Sequence, residues 1–145
     1  MKIYIFAMSE YKKEIYRKLT SASEQINEHI IRLLLFPHCR YENHWKNEIY
    51  SFLFRIDRLK GKNKWPNAKF IKEALAVHND ILQNYVLPVI EQELEFTAAN
   101  IPLSTIEAAI NEYQDWLADN LSKSGIVSLA DVRTKLDEIL KKYQK

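Results

Sequence analysis

The sequence carries one cysteine, two glycines and four prolines. A lone cysteine, Cys39, has no intramolecular disulfide partner, so a cross-linked secreted scaffold is excluded. Gly61 and Gly125, with the four prolines, supply too little turn chemistry for the many tight hairpins of an all-β domain. Long hydrophobic runs are missing as well: Ile30 to Pro37 is broken by Arg32 and falls far short of the roughly 20 apolar residues of a membrane-spanning helix. No charged start followed by an apolar stretch and a small-residue cleavage site is visible, which leads to the expectation of a cytoplasmic protein with no membrane association.

What is present is apolar periodicity. With 145 residues, 47% of them apolar, the chain suits one domain with a single core. Ile15, Leu19, Ala22, Ile26, His29, Leu33 and Phe36 fall at helical steps and predict a first helix from about Glu10 to Phe36. Trp45, Ile49, Phe52, Ile56 and Leu59 predict a second, ending near Gly61. Phe70, Ala74, Val77, Ile81 and Tyr85 predict a third, capped by Asn67 and bent or ended by Pro88. A capping box at Ser104 and Glu107 opens a fourth, with Ile106, Ile110, Tyr113 and Leu117 inward and Trp116 at the margin. Beyond Gly125, Ser128 and Asp131 open a fifth along Leu129, Val132, Leu136, Ile139 and Tyr143. The expected fold is all-α: a compact bundle of about five helices over residues 9–145, preceded by an extension or short strand over residues 1–8.

Charge is unevenly spread although the formal total is only +2. Arg55, Arg58, Lys60, Lys62 and Lys64 form a basic segment, a candidate for phosphate or weak nucleic-acid binding, although such footprints are usually more strongly basic. Between Lys72 and Lys123 no lysine or arginine occurs, while acidic residues recur throughout. Glu107, Glu112, Asp115 and Asp119 on the fourth helix are therefore expected to form an acidic surface. Such a surface would meet a basic protein partner or dock on the domain's own basic half. Solvated helix faces that serve only solubility are the bland alternative.

Motifs for chemistry are sparse. His38, Cys39 and His44 lie close in sequence, but adjacent ligands do not give the spacing that lets a short segment close on a tetrahedral ion, and no H-E-x-x-H or E-x-x-H occurs. No metal and no cofactor is expected. Glycine-rich phosphate loops and the G-x-S-x-G elbow are absent, and Cys39 lacks a partner pattern for nucleophilic work. Glu91, Glu93 and Glu95 alternate, which on a helix turns successive members about 200° apart and away from a common ion. Arg32 followed by His38 is similar to the arginine and histidine of helical HEPN ribonucleases. There a histidine would move the 2′-hydroxyl proton and a guanidinium would stabilise phosphorane charge. His29, on the stripe of Ile26 and Leu33, reads as a core histidine bonded to a neighbouring helix, with Glu48 a candidate partner.

Across residues 20–110, "HIIRLLLFP", the Trp45-x-x-x-Ile49 opening, "WPNAKFIKEAL" and "EQELEFTAANIPLSTIEAAI" together resemble the bacterial domain of unknown function family 29. The resemblance implies an all-helical fold and carries over no catalytic residue. Two functions are expected from these features. One is a non-enzymatic interaction module, antitoxin-like, phage-encoded or a regulatory inhibitor, using the acidic helical surface. The other is a small ribonuclease using Arg32 and His38. Trp65, Trp116 and the "IYIF" segment leave a homodimer open, with burial of both tryptophans the commoner outcome.

Overall fold

The computed structural model describes residues 9–61, 65–123 and 127–144. Residues 1–8, Lys62, Lys64 and Gly125, all named above, lie outside them. Six α-helices follow one another: α1 Glu10–Leu35, α2 Glu42–Asp57, α3 Ala68–Leu75, α4 Gln83–Gln92, α5 Leu103–Leu121 and α6 Leu129–Tyr143. Among the described residues there is no strand, so the fold is all-α. No helix among them is long and apolar enough to cross a membrane.

The axis of the bundle is α1, which touches each of the other five α-helices. Its last two turns show why: Ile30, Ile31, Leu33, Leu34 and Leu35, with Phe36 at the C-cap, are all buried, so apart from Arg32 this end packs apolar side chains in every direction. The expected inward residues of α1, α2 and α5 are buried or packed on the core apart from His29, which is half-buried, and Leu59, half-buried in the 3-10 turn Arg58–Gly61 after α2; those of α6 are too, apart from Leu129, which is half exposed. Tyr113 of α5 is fully buried, Trp116 stacks on it at 6.1 Å, and the Trp65 indole N–H donates to the Leu121 carbonyl at 2.6 Å. Both tryptophans are half-buried.

Two helix boundaries depart from the sequence reading. The fourth predicted helix, α5, is capped by Pro102, whose carbonyl accepts from Thr105 and Ile106. Ser104 and Glu107 therefore sit inside the helix and form no capping box. Proline is at home beside a helix start because its missing N–H would have no partner there. The caps at Asn67 and Ser128 do form, accepting from the N–H groups of Phe70 and Asp131.

The third predicted helix is split between Ala76 and Leu82, not at Pro88, which lies inside α4. Helical counting fails across the break: Val77 and Ile81 face outward, and Leu82 and Val89 take the buried places. The end of α3 frees carbonyls that need donors in a buried setting. Thr20 of α1 donates to the Ala74 carbonyl at 3.4 Å, and Ser23 to the Leu75 carbonyl at 2.5 Å. From α5, the Gln114 amide donates to the same Leu75 carbonyl at 2.9 Å and exchanges hydrogen bonds with the Asn79 amide at 3.0 and 2.7 Å. Ser23, Asn27 and Gln114 are at most 4% exposed, so this polar knot lies in the core and pins the break to α1 and α5.

Candidate functional site

The acidic residues expected to form one surface are divided by the fold. Glu112 accepts from Lys142 at 2.7 Å and from the Tyr143 hydroxyl at 2.9 Å, with Lys135 at 3.5 Å. The hydrogen bond from Lys142 leads the effects that hold its carboxyl below the usual glutamate value. Asp115 pairs with Lys72 at 2.9 Å. Together with Asp119 they line a cleft of about 560 Å³ that also presents Lys69, Lys72 and Lys135. Three carboxylates and three ammonium groups face one another there, so this part of α5 offers no acidic field to a partner.

Glu107 stands apart. It lies one turn beyond Leu103, and Leu103 forms a wall of a different groove, about 280 Å³, between α4 and the start of α5. Val86, Leu87 and Ile90 of α4 face Ile101, Leu103 and Ile106 across it, with Gln83 at one end. Leu87 is 61% exposed, and Leu94, just past α4, is 81% exposed. Glu91 lies one turn beyond Leu87, as Glu107 lies one turn beyond Leu103, so on each helix a carboxylate follows the lining leucine at the i, i+4 position. Neither has an ion-pair partner among the described residues. The sequence signal for this groove was the apolar run Val86 to Ile90, more apolar than one buried stripe requires.

Arg32 and His38 have different partners within the chain. The Arg32 guanidinium is committed to the end of α4, where Nε lies 3.2 Å from Glu93 and Nη2 donates to Gln92. Its side chain is only 11% exposed. His38 occupies the turn after α1 in the left-handed conformation, φ 60°, with its side chain 85% exposed and Nδ1 3.8 Å from Glu42. The chemistry of a ribonuclease pair requires both groups to reach one phosphate. Here one ties helices together and the other points to solvent.

The remaining candidates also have structural partners. Glu93 and Glu95 serve Arg32 and Arg40, the latter by two bonds of 2.6 and 2.7 Å. Among the described residues no cluster of histidine, cysteine and carboxylates could hold a metal ion. Cys39 is half-buried against the core. His29 bonds to the Gln25 carbonyl of its own helix at 2.7 Å and meets Phe52 edge-on at 5.6 Å, so the bond expected to a neighbouring helix is replaced by one within α1. Burial pushes its pKa down.

The basic segment is dispersed rather than arrayed. Arg55 lies over Phe52 at 5.7 Å and Arg58 over Phe54 at 5.9 Å. Lys60 pairs with Asp57 at 3.1 Å and donates to the Lys123 carbonyl. Asp57 in turn accepts from the Val127 N–H, joining the end of α2 to the start of α6. Arg55 lines a groove between α1 and α2. No family model matches the chain, and comparison with curated proteins and with solved structures finds no match to it.

Proposed function

We propose that the chain is a non-enzymatic protein-interaction module whose α4–α5 groove receives an amphipathic helix with basic flanks. The observation that carries this reading is the apolar groove, with Glu91 on α4 and Glu107 on α5 each one helical turn past a leucine that lines it, and neither with an ion-pair partner among the described residues. Helix-in-groove recognition places apolar anchors at steps of three and four into such a cleft, and lysines or arginines beside those anchors would meet the two carboxylates. Leu87, which lines the groove, is largely exposed and available as an apolar contact. An antitoxin-like or regulatory inhibitor protein that captures a basic segment of its target would work in this manner. The resemblance to the bacterial family of unknown function 29 enters only through the helical architecture.

The test is site-specific cross-linking. A photo-reactive residue in place of Leu87 is expected to capture a basic amphipathic helical peptide, and capture should fall steeply at about 0.5 M salt because exposed charges are then screened. The same residue in place of Thr134, exposed on α6, serves as the control. Equal capture at both positions would contradict the reading.

A further inference from the structure

We propose that the groove between α1 and α2 is a second binding site, for an anionic amphiphile with a linear apolar chain. At about 550 Å³ it is of the size that small-molecule sites commonly have. Its floor is apolar, made by Ala22 of α1, by Phe52 and Ile56 of α2, and by Leu59 in the 3-10 turn Arg58–Gly61 that follows α2. Among the described residues its charged lining is a cation on each wall, Lys18 from α1 and Arg55 from α2, with no carboxylate.

The two cations are available to a ligand. Arg55 has no carboxylate partner among the described residues and rests over the Phe52 ring. Lys18 has Glu14 at 3.2 Å, one turn back on the same helix, with both side chains more than half exposed. Such a pair contributes little and is readily exchanged for a ligand anion. Ser21 and Gln25 add hydrogen-bonding groups along the α1 wall. An anionic head held between Lys18 and Arg55 would leave its chain to cover Phe52, Ile56 and Leu59. The site uses none of the residues of the α4–α5 groove, so it stands or falls independently of the protein-binding reading.

The probe is dansyl-undecanoate, titrated below its aggregation concentration and followed by fluorescence, beside the uncharged carboxamide of the same chain. The expected result is saturable binding of the acid, weaker by about tenfold for the amide and for Lys18→Gln with Arg55→Gln, because a charge-assisted contact is removed in each case. Ala22→Phe, checked for helicity by circular dichroism, is expected to abolish binding by filling the groove. Vesicles of anionic phospholipid distinguish a lipid held as a monomer from a membrane surface. Binding to vesicles alone, undisturbed by Ala22→Phe, would overturn the proposal. Equal binding of acid and amide by parent and double variant would overturn it too.

Discussion

The two ends of α5 carry the same kind of residue and present opposite surfaces. Toward its C-terminus, Glu112, Asp115 and Asp119 share a cleft with Lys69, Lys72 and Lys135. Near its N-terminus, Glu107 lies one turn beyond Leu103, which lines an apolar groove with no lysine or arginine among its described lining residues. In sequence the four acids belong to one interval free of basic residues, yet the lysines that pair with Glu112 and Asp115 come from α6 and α3, outside that interval. Surface potential is thus set by which helices the fold lays beside α5. A charge run predicts a field only where no partner helix supplies counter-charge.

That contrast can be broken in several places. The largest effect is expected on the inward side of α5, where Gln114→Ala removes the donor shared by the Leu75 carbonyl and the Asn79 amide. Leaving buried groups unpaired and a cavity beside them should cost about 2–4 kcal/mol, read from urea unfolding. A loss below about 0.5 kcal/mol, the size of an ordinary surface substitution, would mean that the polar knot does not hold the α3–α4 break.

At the proximal end, Glu91→Lys with Glu107→Lys should weaken binding of a basic amphipathic helix by about tenfold or more, while shifting stability by no more than about 0.5 kcal/mol. Titration calorimetry and thermal unfolding on the same samples separate the two outcomes.

A smaller effect is expected at the distal end. Glu112→Gln should cost no more than about 1 kcal/mol at neutral pH, since the pairs it loses are partly exposed. Because the Glu112 carboxyl titrates below its ordinary value in the folded state, its contribution is fully present above the ordinary glutamate range and is lost as pH falls through the depressed value. The stability gap between parent and variant should therefore narrow on acidification; a gap that stays constant or widens would contradict the pairing. Smallest of all is Asp115→Asn, which breaks an exposed pair with Lys72 and should change stability by less than about 0.5 kcal/mol and leave helix binding unaltered.

Much of this architecture was legible in the sequence because local chemistry decides it. The stripes of α1, α2 and α5, and the caps at Asn67 and Ser128, depend on residues a few positions apart. The break after α3 was not legible, since what stabilises it arrives from Thr20, Ser23 and Gln114, some 40 to 55 positions away. Ser104 and Glu107 had the spacing of a capping box, but Pro102 starts the helix first. For the candidate site, Glu107 reads in the sequence as part of an acidic surface on the fourth helix and Glu91 as one of three alternating glutamates. The groove that joins them is a product of α4 lying beside the start of α5, which no spacing within either helix encodes.

The central claim is that unpaired acids beside an apolar groove, and not the acidic run as a whole, make the docking surface. Fluorescence anisotropy of a labelled basic amphipathic helical peptide tests it, titrated against the parent, against Glu91→Lys with Glu107→Lys, and against Asp115→Asn with Asp119→Asn. Saturable binding that is lost in the first variant and retained in the second is the predicted result. Equal loss in both variants, or binding indifferent to either, would contradict it.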